Sequence, residues 1–199
     1  MDFEGYEAST HIPILRAVVR EYNPLFILEL GIGIHSTPHL VYSRYVGIEN
    51  DPEWIAKVKK LFPDIEVIYH QTDLNIGTNL KEITPEKEEE IASYYRSLNI
   101  PDLHPNFLFV DNYVAFRTLA ITELKDRFDI IAYHDCQAEG VEQYQYYRLN
   151  KEGFNSYCLK SPTSWTCLMV RSEIDKGRLD LPIAEYLKDW PDCKFMEYE

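Results

Sequence analysis

Apolar positions recur along this chain in two alternating rhythms. Ile12, Leu15, Val18, Val19 and Tyr22 fall on one helical stripe, and Asn23-Pro24 ends it. Leu25–Leu30 is apolar apart from Glu29, the pattern of a strand covered on both faces. The stretch Gly31-Ile-Gly33-Ile-His35-Ser36-Thr37 predicts a turn into a short helix carrying Pro38 and Leu40, and Tyr45–Glu49 predicts a second strand. Asp51-Pro52 opens a helix with Ile55, Val58, Leu61 and Phe62 on its stripe and Asp51 as its cap. Ile65–Tyr69 reads as a third strand.

The rhythm breaks between about 74 and 105, an irregular insertion whose one clear helix starts at Thr84-Pro85-Glu86 and carries Ile91, Tyr94, Tyr95 and Leu98. It then resumes with a strand at Phe107–Val110, a helix over 115–127, a strand at Phe128–Tyr133 and a helix over 139–149. Phe154–Leu159 and Trp165–Arg171 form a hairpin around Lys160–Ser164, and a helix near Leu181–Trp190 closes the chain. Strands separated by crossover helices predict an α/β fold, a doubly wound, mostly parallel seven-stranded sheet with a C-terminal antiparallel hairpin. No repeat or linker divides residues 1–199, so one Rossmann-like domain is expected.

Composition narrows the partners. Twenty basic and thirty-three acidic side chains leave a formal charge of −13, which offers phosphate backbones and anionic lipid no general attraction. A small-molecule substrate is expected, with no nucleic acid and no membrane, and a homo-oligomer stays open. The polar, acidic N-terminus does not resemble a signal peptide, and Cys136, Cys158, Cys167 and Cys193 contain no C-x-x-C pair. A cytoplasmic protein with buried thiols follows, although Cys158 and Cys167 could face each other across the hairpin.

Ligands of open α/β sheets bind beyond the carboxyl ends of the strands. Gly31 and Gly33 follow the first strand and allow a tight turn with close backbone approach, and Glu49 ends the second strand, placed to accept hydrogen bonds from ribose hydroxyls. A nicotinamide loop wants a third small residue in G-x-G-x-x-G, a position held here by Ser36 beside the bulky His35. A mononucleoside-type ligand is favoured over a dinucleotide.

The segments Phe26-Ile-Leu-Glu29-Leu-Gly31-Ile-Gly33 and Tyr45-Val-Gly-Ile-Glu49 resemble the first two motifs of the class I S-adenosylmethionine-dependent methyltransferases. The resemblance runs from the leading helix to the terminal hairpin. It implies that Glu29 and the Gly31–Gly33 backbone hold the methionine part of the cofactor, with His35 standing where the family often has a third glycine. It also implies that Glu49 holds the ribose and Asp73 the adenine amine. The ends of the fourth and fifth strands supply Asp111, His134 and Asp135, two carboxylates and an imidazole suited to acid–base work or to a divalent cation. In the cation-dependent O-methyltransferases, acids at the Asp111 and Asp135 positions hold the metal, so Mg2+ or another divalent cation on that pair is one expectation. Val110-Asp111-Asn112 with Arg117, and Tyr133-His134-Asp135, resemble a second, uncharacterised group more closely. Tyr144, Tyr146, Tyr147 and Trp165 lie in segments flanking the acceptor pocket of this fold. A methyltransferase acting on oxygen of a small or medium acceptor is the leading expectation. An inactive methyltransferase-like interaction module and a nicotinamide-dependent oxidoreductase are its rivals.

Overall fold

The computed structural model describes residues 11–137, 142–174, 183–189 and 192–197. Helix α1 (Ile12–Tyr22) buries Ile14, Leu15 and Val18, and it ends where Asn23 turns left-handed and returns its N–H to the Val19 carbonyl. Strand β1 (Phe26–Leu30) follows, then a 3-10 turn at Thr37–His39, β2 (Arg44–Glu49), α2 (Pro52–Leu61) and β3 (Glu66–Tyr69). Asp51 caps α2, accepting from the Glu53 and Trp54 amides at 2.8 and 3.2 Å, as the Asp-Pro pair predicted.

The 74–105 stretch contains a 3-10 turn at Leu80–Glu82 and helix α3 (Pro85–Ser97), capped by Thr84. Next come β4 (Asn106–Val110), α4 (Arg117–Leu124) with a 3-10 turn at either end, and β5 (Ile130–His134). Strands β6 (Phe154–Lys160) and β7 (Trp165–Arg171) form the expected hairpin. Of the expected helix over 139–149, residues 142–144 are helical and a 3-10 turn at Tyr146–Arg148 follows, while residues 139–141 lie outside the described residues. Of the closing helix near 181–190, residues 181, 182 and 190 lie outside the described residues.

The sheet has eight strands in the order β3-β2-β1-β4-β5-β7-β6-β8, parallel from β3 to β5 and antiparallel beyond. The count of seven is corrected by β8 (Lys194–Glu197), which pairs with β6 at the sheet edge. Its four residues are half to fully exposed, so they show neither the apolar run nor the alternation that marks a buried strand.

Strands β1, β4 and β5 are buried at every position, and the pleat divides their side chains between two cores. Ile27, Phe107 and Phe109 pack with α1 and Val58 of α2 on one face. Leu28, Leu108 and Val110 pack with Tyr95 of α3 and with α4 on the other. Burying each of the phenylalanines is worth about 1.5–3 kcal/mol. Helix α4 is wedged between the sheet and α3, which explains why it buries six of its eight residues and shows little stripe.

The cysteines correct a second expectation. Cys136 and Cys167 form a disulfide, and Cys158 is a free buried thiol whose sulfur lies 3.8 Å from that of Cys136. Cys158 does sit opposite Cys167 across the hairpin. What spacing along the chain does not reveal is that β7, not β6, pairs with β5, and this places residue 136 beside Cys167.

Candidate active site

Strand order reverses between β1 and β4, and a cavity of about 410 Å3 opens there, at the carboxyl ends of the parallel strands. Two hydrogen bonds close the sheet below it: Gly31 N donates to the Ile48 carbonyl at 2.8 Å and Asp111 N to the Leu30 carbonyl at 2.7 Å.

Gly31 takes φ +84°, and a Cβ there would stand 2.3 Å from the Asp111 carbonyl oxygen. Its glycine is therefore required by the approach of the β4 terminus. The loop that follows is tied from behind by Glu29, whose buried carboxylate accepts from the hydroxyls of Ser36, Thr37 (2.7 Å) and Tyr45. Thr37 Oγ1 in turn accepts the Gly33 amide at 3.1 Å. Burial pushes the Glu29 carboxyl up to about 7 against the pull of its three hydroxyl partners. Trp54 fastens the loop from α2, its indole N–H donating to the Ile32 carbonyl at 2.5 Å.

Glu49, at the end of β2, lines the same cavity, and its carboxylate meets the loop backbone at Ile32. One carboxylate oxygen accepts the Asn50 and Asp51 amides at 2.6 and 3.0 Å, which fixes the side chain at the strand end. Burial raises its pKa, and those amides oppose the rise.

The β4 and β5 termini are joined by Arg117 from the first turn of α4. Its guanidinium donates to the Asn112 carbonyl (2.8 Å), the His134 carbonyl (3.2 Å) and Asp135 (3.0 Å), pairs with Asp111 at 2.8 Å, and lies over the Tyr144 ring. Burial alone would raise the Asp111 carboxyl, but His134 and Arg117 hold it well below the usual carboxylate range. Conversely, burial opposes charge on His134, while Asp111 and Asp135 raise its pKa. The His134 Nε2 meets Ser164 Oγ at 2.7 Å and its Nδ1 faces Asp111 at 3.4 Å. Asp135, at φ +59°, is taken up by Arg117, Tyr144 and Ser164.

Of the residues singled out in the sequence, Gly31, Gly33, His35, Glu49 and Asp111 line the cavity. Glu29 lies behind the loop and does not face it. His134 and Asp135 form a layer behind Asp111. The Asp73 carboxylate is outside the lining, 79% exposed and paired with Lys87 at 2.7 Å.

Several lining residues had no sequence argument behind them, His11 foremost. His11, at the start of α1, is 3% exposed and sits edge-on to the His134 ring at 5.0 Å between centroids. Both of its ring nitrogens are buried without a hydrogen-bond partner among the described residues. Burial, then the neighbouring His134, pushes its imidazole down to about 3, so the ring is neutral. Topology was the signal that could have found it. A helix feeding β1 from the opposite direction begins at the carboxyl edge of that strand, where the site lies.

No protein-family model and no curated protein sequence matches the chain. Solved structures do. A candidate caffeoyl-CoA O-methyltransferase of Staphylococcus aureus is 13% identical, with a TM-score of 0.51 over 79% of this chain and 81% of the other. A methyltransferase-like protein of Silicibacter pomeroyi, also 13% identical with a TM-score of 0.51, is matched over 92% and 95%. The 23S rRNA methyltransferase ErmE, at 12% identity and a TM-score of 0.51, is matched over 85% and 72%. Three structures described as methyltransferases or methyltransferase-like are thus similar in fold to this chain, whose sheet reverses between β1 and β4 and ends in antiparallel strands, and the chain has the class I S-adenosylmethionine-dependent methyltransferase fold.

Proposed function

We propose that this protein is an S-adenosylmethionine-dependent methyltransferase acting on a hydroxyl of a small acceptor. The observation that carries the proposal is the cavity at the strand-order reversal, lined by both the Gly31–Ser36 loop and the Glu49 carboxylate. Its volume lies within the range of small-ligand sites. Glu49 holds the ribose hydroxyls, and the loop backbone at Gly31 and Gly33, with His35, holds the methionine end. Ile76, Tyr113 and Val114 line the same cavity and offer the adenine an apolar slot. Asp73 takes no part in this reading. The cofactor supplies an electrophilic methyl group on a sulfonium.

The chain's own task is to present the acceptor. Asp111, held ionised at the cavity wall, would accept a hydrogen bond from an acceptor hydroxyl, turn its lone pair toward the methyl group, and take the hydroxyl proton as the O–CH3 bond forms and the S–CH3 bond breaks. Arg117 holds Asp111 in register with the β5 terminus, and His134 and Asp135 support it from behind. The formal charge of −13 and the modest cavity favour a small acceptor over a nucleic acid.

Calorimetry with S-adenosylhomocysteine tests the reading. Glu49→Ala removes a charge-assisted contact worth about 1.5–3 kcal/mol and should weaken binding about 10- to 150-fold in protein shown to be folded by its thermal transition. Absence of binding to the unaltered protein at millimolar ligand, or equal affinity in the variant, would overturn it.

A further inference from the structure

We propose that His11, Asp111 and His134 form a binding site for a divalent transition cation of the zinc class. The site draws on three separate elements: the residue before α1, the residue after β4 and the last residue of β5. Their donor atoms lie within 4.8 Å of one another. His134 Nδ1 and Asp111 stand 3.4 Å apart, beyond the usual N–H···O range of about 2.7–3.2 Å. Two bonds of about 2.1 Å to a tetrahedral cation set their donors about 3.4 Å apart, so this pair already has the required spacing.

The buried ring of His11 supplies the independent observation. Two polar nitrogens with no partner among the described residues cost free energy, on the order of 1–3 kcal/mol each, and a lone pair turned on a cation removes part of that cost. The surrounding shell also suits a ligand set. Ser164 Oγ engages His134 Nε2 at 2.7 Å, orienting the ring so that Nδ1 faces Asp111. Arg117 opposes a cation through its pairing with Asp111, and Asp135, 3.0 Å from the same guanidinium, offsets that charge.

Two imidazoles and one carboxylate select an imidazole-accepting ion such as Zn2+ over Mg2+ or Ca2+, which demand oxygen. The inference therefore departs from a cation held by Asp111 and Asp135, whose oxygens are engaged by Arg117, Tyr144 and Ser164. His11 and Asp111 both line the cavity, so the remaining coordination position opens toward it and takes water or an acceptor hydroxyl. Cys136, Cys158 and Cys167 also cluster, but the disulfide between two of them leaves a single thiol. The cation site does not depend on the cofactor reading.

Titration of the full-length, metal-free protein with Co2+, followed by its visible ligand-field absorption and by equilibrium dialysis, tests it. One equivalent should bind. His11→Ala should weaken binding at least about 100-fold, and Ser164→Ala about 10-fold through lost orientation of His134. His11→Gln serves if the alanine variant does not fold, as judged by its thermal transition. No Co2+ binding to the unaltered protein, or equal affinity in both His11 variants, would overturn the site. S-adenosylhomocysteine calorimetry on the same samples keeps the two readings apart, because either ligand can bind when the other fails.

Discussion

Glu29 places a pH-dependent load on the glycine loop. Its carboxyl is fully buried and titrates at about 7, against an ordinary value of 4.5 that it regains in the unfolded chain. Between those values the folded state holds a proton that the unfolded state has released. Stability therefore falls as pH rises across that window, and its full benefit is present only below 4.5. The gap corresponds to about 3 kcal/mol lost between pH 4.5 and 7. Glu29→Gln keeps the shape and cannot ionise, and the hydroxyls of Ser36, Thr37 and Tyr45 can rotate to accept from its amide. Urea unfolding of both proteins at several pH values isolates the effect, because other titrating groups cancel in the difference. The variant should match the parent near pH 4.5 and exceed it by about 3 kcal/mol above pH 7. A difference that stays constant with pH would show that the carboxyl titrates normally and that the three hydroxyls offset its burial.

Gly31→Ala should cost at least about 2 kcal/mol in urea unfolding, since φ +84° is strained for alanine and its Cβ would meet the Asp111 carbonyl at 2.3 Å; a neutral outcome would mean the β4 terminus moves freely. Arg117→Met should destabilise by about 3–5 kcal/mol because it takes the guanidinium from both Asp111 and Asp135 and leaves the two acids only His134 to share, and an unchanged midpoint would show both acids to be solvated. Replacing Cys136 and Cys167 together by serine should cost about 4 kcal/mol, the loop-closure entropy for a separation of 31, with reductant abolishing the difference; a reductant-insensitive gap would mean packing is responsible.

The strand–helix order and most element boundaries were legible along the chain because they rest on local chemistry. Buried strands are continuous apolar runs, Asp51-Pro52 caps a helix, and Asn23-Pro24 stops one. Gly31, Gly33 and Glu49 were readable for the same reason, since a strand end followed by a turn tells where a side chain or a bare backbone will face. The edge strand β8 escaped because an exposed four-residue element buries too little to leave a pattern.

Contacts between distant segments were settled only by the tertiary structure. Glu29 alternates with inward-pointing apolar neighbours, so its side chain goes into the core and ties the loop from behind instead of entering the cavity. Asp73 follows its strand as expected, yet Lys87 from α3 draws it outward. His11, Arg117 and Ser164 come from three unrelated places, and of these Arg117 alone belonged to a motif read from the sequence. They meet at Asp111 and His134 because the sheet reverses between β1 and β4 and inserts β7 beside β5. Sequence by itself determined the elements and the glycine turn after β1; chain crossing, which depends on which strands pair across long separations, decided which side chains share the candidate site.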